Sequence, residues 1–226
     1  MKSKFAIEDI TACTDPNVWD IGNNVLYDLC KQYPHHNDTR QIVAKVWLIG
    51  RSYAAALERR RNKAEINDIF YSDNIASAFK QSDLDQRLFE LTSAQADGDE
   101  NFIKCMYIHK ELIDVLHVPT KQHKRSFSSK YLHFHCPENF YIYDSRATEA
   151  IRTFNIILTK EMLGQINSMK MDEGYAKFAF ICRILKSLIK NETEVSLTNR
   201  QLDNLLVAVA NKKLTGLLEK KMFPET

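Results

Sequence analysis

Lys130 and Asp144 stand fourteen residues apart, each where the surrounding pattern opens a helix. Together they could supply an amine nucleophile and a carboxylate partner. A lysine attacks carbon only as the neutral amine, and a helix N-terminus with nearby cations, here Lys124 and Arg125, lowers its hold on the proton. A carboxylate beside a carbon that develops positive charge stabilises the transition state more than the ground state. Simpler roles are open at both positions: an N-cap for Asp144, a phosphate contact for Lys130.

The charge around them is one-sided. Between Asp114 and Glu138 there is no acidic residue, although 29 of the 226 residues are Asp or Glu. The interval holds Lys121, Lys124, Arg125 and Lys130 with His117, His123, His133 and His135. Such a run is either a solvated loop or the face of a polyanion-binding site, and a nucleic-acid backbone is the partner it fits best. Lys121, Lys124, Arg125, Ser126, Ser128 and Ser129 are the candidate DNA contacts. His133, His135 and Cys136 are zinc-type donors, but helical positions i and i+2 diverge and no second ligand pair is near, so neither metal nor cofactor is expected. For holding a base, the aromatic candidates are Trp47, Tyr53 and Phe127, with Arg51 in the polar cluster after Gly50; on a helical stripe each of these residue types also serves as core or plain surface.

These residues must be positioned by helices. With 44% hydrophobic and 27% charged residues the chain is that of a folded protein, and six glycines leave few positions for tight hairpins, which disfavours an all-β fold. Asp15-Pro16 opens a helix carrying Val18, Ile21, Val25 and Leu29, stopped at Pro34. Asp38 or Thr39 caps a longer one, with a stripe from Ile42 to Tyr53 and a basic end at Arg59–Arg61. Further helices are expected over 64–80, over 83–95 with Ser82 and Asp85 as a capping pair, and over 101–117. Next come one from Ser126 or Ser128 to Pro137, one over 145–158, one around 175–189, and one opened by the Thr198/Gln201 capping box. The expected fold is all-α, one mostly helical domain over 1–226, its two lobes meeting at a cleft near 118–146. Five scattered cysteines without a C-x-x-C pair, a charged N-terminus and no long apolar run suggest a reduced, cytoplasmic protein with no membrane partner.

The stretch from Val118-Pro119 through Ser129-Lys130-Tyr131 to Tyr143-Asp144-Ser145 reads as helix, basic hairpin, helix, then an aspartate opening the following helix. In this it resembles the helix-hairpin-helix DNA glycosylase superfamily, over about residues 101–158. The resemblance implies a compact glycosylase-like fold with the motif near 101–136, Lys130 as the nucleophile of enzymes that also cut the strand, and Asp144 as the carboxylate supporting attack at the sugar C1′. It further implies double-stranded DNA with a flipped, modified base as the partner, an abasic site as the product, and no obligate protein partner. Some bacterial members excise phage-modified bases, including glucosylated hydroxymethylcytosine, and this compact, divergent chain resembles those antiviral members most. It departs from the usual pattern in having no glycine over 118–129, and it lacks the four-cysteine cluster of some members. A non-catalytic DNA- or RNA-binding protein using 117–135 as a phosphate clamp shares the basic segment and makes no demand on Asp144; a hydrolase built on His133, His135 and Cys136 ranks third.

Overall fold

The computed structural model describes residues 7–58, 66–92 and 98–222. Arg59–Arg61 and positions 64–65 and 93–95 of the expected helices lie outside the described residues. The described elements are helical throughout: α1 (Ile7–Thr14), α2 (Asp20–Gln32), α3 (Thr39–Ser52), α4 (Asn67–Ile69) running through a π-helical turn (Phe70–Ile75) into α5 (Ala76–Lys80), α6 (Leu84–Thr92), α7 (Asp99–Thr120), α8 (Arg125–His135), α9 (Ser145–Arg152), α10 (Lys160–Ser168), α11 (Glu173–Thr193) and α12 (Asn199–Met222). The fold is all-α, and among the described residues no helix is long and apolar enough to cross a membrane. One connected core runs from Ile10 to Leu206.

Helix α8 is the axis of the fold, packed by α2, α3 and α7. Every residue from Phe127 to Phe134 is buried, including Ser128, Ser129, Lys130 and His133. Two features with positive φ set its flanks. At Lys121 (φ 54°) the C-terminus of α7 turns into the hairpin, so a lysine takes the left-handed position where glycine is favoured. Helix α7 runs to Thr120 with Pro119 in its last turn, past the expected end at 117, and Thr120 Oγ1 donates to the Leu116 carbonyl at 2.6 Å.

Helix α3 stops at Ser52, well short of the expected basic end. The Ala54 N–H donates to Arg51 O and the Ala55 N–H to Gly50 O, a Schellman arrangement with Ala54 at φ 52° in the position glycine usually fills. Gly50 lies close beneath it, where a Cβ would meet the Ala56 Cα at a tight 3.2 Å.

Several caps match the sequence: Asp38 accepts from the Arg40 and Gln41 N–H groups, Asp144 from Ala147, and Thr198 and Gln201 exchange bonds as a capping box. Others do not. Asp85 makes no box with Ser82; its carboxylate accepts from the His36 backbone and ring. Helix α2 begins only at Asp20, and its expected stripe faces outward, with Val18, Ile21 and Val25 at 88%, 81% and 57% exposure, while Asn23, Leu26 and Cys30 are buried. Helix α9 ends at Arg152 rather than 158, where Asn155 (φ 51°) turns the chain. Helices α1 and α10 were not expected.

The segment from Pro137 to Tyr143, which carries Asp144 to α8, is held through its backbone. Asn199 Nδ2 donates to the carbonyls of Pro137 (3.0 Å) and Glu138 (2.9 Å), the His133 ring bonds Phe140 O (2.8 Å), and Tyr175 OH accepts from the Tyr141 N–H (3.2 Å). Ser129 Oγ closes the strap by accepting from the Tyr143 N–H at 3.0 Å. Asn199→Ala would strand two of these carbonyls, at a cost of about 1–3 kcal/mol. Its denaturant midpoint should fall with an unchanged m-value.

Candidate functional site

The stop of α3, the first turns of α8 and the cap of α9 converge on the Lys130 amine. Nζ lies 3.3 Å from Asp144 Oδ2, 3.0 Å from Ser126 Oγ and 3.2 Å from the Tyr53 carbonyl, and the side chain is 3% exposed. The carbonyl is available because the Schellman turn has ended the helix at Tyr53. Asp144 divides its carboxylate: Oδ1 accepts from the Ala147 N–H at 2.9 Å as the cap, and Oδ2 faces the lysine. Both roles considered for this residue are therefore present in one geometry. At 29% exposure its side chain is the wet end of an otherwise dry pair.

Burial lowers the Lys130 pKa, and Asp144 opposes that change. This differs from the expected cause, the neighbouring cations, because Arg125 spends its charge elsewhere. Its guanidinium pairs with Asp172 (2.5 and 3.0 Å), lies over the Tyr143 ring, and packs where a Cβ on Gly174 would come within 2.9 Å.

Tyr53 joins the pair to a second polar group. Its ring centroid is 5.8 Å from Lys130 Nζ, and its hydroxyl donates to Asn23 Oδ1 (2.6 Å) and accepts from Arg200 Nη1 (3.0 Å). Burial raises its phenol to about 12, so it stays protonated. Arg200 in turn holds Asp203 at 2.8 Å. Burial, opposed by Arg200, lifts Asp203 to about 6. Arg200 also lines a cavity of about 680 Å³, with Tyr27, Phe134, His135 and Thr198 among its other walls. Neither Lys130, Asp144 nor Tyr53 lines this cavity; Phe134, which does, meets the Tyr53 ring edge-on at 5.2 Å.

Of the residues singled out from sequence, Lys130, Asp144, Ser126 and Tyr53 come together. Phe127 does not: it is 1% exposed, stacked on Tyr131 and packed against Gly50, and belongs to the core. Ser128 and Ser129 are fully buried, and Ser129 is bonded to Tyr143, so neither reaches a nucleic acid. Trp47 and Arg51 are exposed on α3, the guanidinium 5.7 Å from the indole and paired with Glu58. Lys121 is exposed at the hairpin, Lys124 rather than Ser126 or Ser128 holds the N-cap position of α8 without a side-chain cap bond, and the rings of His117 and His123 stack at 5.0 Å. His133 is an internal strut between Tyr27 OH and Phe140 O; burial takes its pKa to about 4. Among the described residues no group of His, Cys, Asp and Glu is arranged to hold a metal.

Arg200, Asp203 and Asn23 were missed. The capping box located the start of α12, and Arg200 and Asp203 are spaced i, i+3, a signal that reads equally well as a surface ion pair. Neither a family model, nor a curated protein, nor a solved structure matches the chain.

Asp203 has a folded pKa above its unfolded value, so the native state binds more protons between about pH 4 and 6 and loses stability as pH rises through that window. Asp203→Asn removes this loss. The stability of the variant relative to the parent should rise from pH 4 to pH 7, by about 1.4 kcal/mol for each tenfold difference in proton affinity between the folded and unfolded chains, as read by denaturant titration at both pH values.

Proposed function

We propose that the protein is a DNA N-glycosylase with lyase activity, of the helix-hairpin-helix type, in which Lys130 attacks C1′ of a nucleotide whose base has been turned out of the duplex. The observation that carries this reading is the Lys130 ammonium, nearly dry, at 3.3 Å from a partly exposed Asp144 carboxylate. A buried cation is costly and persists where it is paired and hydrogen-bonded. A lysine serving only as a phosphate contact would keep its ammonium in water, as the exposed Lys121 does. The clamp reading also loses Ser128 and Ser129 to the interior and Arg125 to Asp172.

In the proposed reaction, Lys130 gives its proton to Asp144 Oδ2, and the neutral amine forms a bond to C1′ as the N-glycosidic bond breaks. The leaving base takes the bonding pair and a proton. Asp144, ionised again once that proton has moved on, faces the positive charge that builds on the sugar. Nζ passes a proton to the ring oxygen as the C1′–O4′ bond breaks, giving a protonated imine between Nζ and C1′; loss of a C2′ proton then expels the 3′ phosphate and cuts the strand on that side. The choice of a base enlarged by modification, such as glucosylated hydroxymethylcytosine in phage DNA, rests on the resemblance of the 118–145 stretch to the glycosylase superfamily. Antiviral defence is the corresponding biological role.

Two assays test this. On DNA holding a preformed abasic site, borohydride should trap a covalent complex with the parent protein and none with Lys130→Gln. On phage DNA with glucosylated cytosines, alkali should reveal new abasic sites, reduced at least about 100-fold by Asp144→Asn, the scale on which one preorganised electrostatic partner acts. A protein that binds DNA but neither traps nor releases a base would be a clamp.

A further inference from the structure

The pair formed by Lys130 and Asp144 opens to solvent on one side. The Lys130 side chain is 3% exposed and that of Asp144 29%, so a molecule that reaches the amine does so across the carboxylate, where α9 begins. The next two residues, Ser145 and Arg146, are exposed. Whatever lies against the pair therefore lies against the start of α9 as well.

Helix α9 divides its faces sharply. Ala147, Ala150 and Ile151 are buried, and the helix packs along α12 and α11. Ser145, Thr148, Glu149 and Arg152 follow at i, i+3, i+4 and i+7, a stripe down another side. With Thr153, and Lys213 of α12, they line an open groove of about 550 Å³ whose wall residues are all polar or charged. Lys213 Nζ crosses it to Glu149 Oε1 at 2.7 Å, so the acid of the groove is neutralised. Positive charge is left in surplus. Among the described residues, the guanidinium groups of Arg152 in the groove and Arg146 beside it have neither ion pair nor hydrogen bond, and the Ser145 hydroxyl has no protein partner.

We infer that this groove holds the DNA backbone, its phosphodiester groups taking the Arg152 fork and the Ser145 hydroxyl and running from the Asp144 carboxylate along α9 toward Lys213. This rests on the proposed action on DNA and assigns the surface that seats the duplex beside the reacting sugar. A planar guanidinium can bind two phosphate oxygens at once, and a hydroxyl donates a further bond. Ser145 and Arg152 are roughly 10 Å apart along the helix axis, about three base steps of a duplex, so the stripe is long enough to meet more than one phosphate. The acid-free interval that first pointed to a polyanion contributes less, with Arg125 bound to Asp172 and Ser128 and Ser129 buried. Contacts of this kind fix the register of the duplex and carry no information about the base.

The test is the affinity of the protein for a fluorescein-labelled duplex with a central tetrahydrofuran abasic analogue, followed by anisotropy over a range of salt concentrations. Arg152→Gln should weaken binding about five- to ten-fold near 0.1 M salt and reduce the slope of log K against log salt by about 1. Glu149→Gln should strengthen binding, which the loss of a purely structural ion pair would not do. Lys31→Gln makes the same change of charge elsewhere and should alter neither quantity. Lys31 borders the cavity that Arg200 lines, and Arg200 precedes Lys213 on α12 by about 20 Å. Unchanged affinity and slope in both groove variants, or an equal loss in Lys31→Gln, would overturn the groove as the backbone site, while borohydride trapping by the parent protein would keep the glycosylase reading. Groove variants that behave as expected in a protein that traps nothing would keep the groove and remove the reaction. If the parent binds no duplex at all, both fall.

Discussion

The Lys130 ammonium, taken out of water like that of Lys45, is the group around which the candidate site is organised. The Lys130 side chain is almost wholly buried on a helix buried along most of its length, and it is tolerable there only because a carboxylate, a hydroxyl and a carbonyl converge on it. Each partner makes its own demand on the chain. Ser126 needs α8 to begin a full turn earlier; the Tyr53 carbonyl needs α3 to stop where it does; Asp144 needs a strap that crosses back over α8. Ala54 at the turn and Lys121 at the hairpin both adopt the left-handed conformation without being glycine. The strain of those two residues flanks the amine they help to place, as expected where surrounding packing over-determines a local geometry.

The same constraint explains the uneven electrostatics. Arg125, one residue before Ser126, would repel the ammonium if left unpaired, and the Asp172 carboxylate takes up its charge at the N-terminus of α11. Asp203 lies on the other side, buried and paired with the Arg200 guanidinium, which offsets its negative charge. The carboxylates that act on the amine are therefore the partly exposed Asp144 and the Arg200-paired Asp203, while the hydroxyl and amide groups around it are fixed dipoles that need no reorganisation.

The sequence spoke clearly where a residue type is forced by chemistry. Lys130 and Asp144 were legible because each stood at a helix start within a stretch of unusual charge, and Tyr53 because it is an aromatic at the end of an apolar stripe, beside the polar cluster after Gly50. Face assignment was less legible. Val18, Ile21 and Val25 repeat at helical spacing, but so do Asn23, Leu26 and Cys30, and it is the second set that is inside, Leu26 and Cys30 in the core and Asn23 accepting from the Tyr53 hydroxyl. Polarity misled in the same way on α8, where Ser128, Ser129 and His133 read as a wet surface although the helix lies at the centre. Arg200 and Asp203 were invisible as site residues because the contact that matters spans 147 positions to Tyr53, a distance over which no local pattern carries information.

The backbone bonds that hold Pro137 to Tyr143 make that segment a ruler. Carbonyls and amides are bound at nearly every step, by side chains from α8, α11 and α12. One inserted residue would move every later group out of register and present Asp144 to Lys130 with its carboxylate displaced by about a residue's length, roughly 3.5 Å. Descendants of this chain are therefore free to change side chains on the outer surface of the strap but are bound to conserve its length.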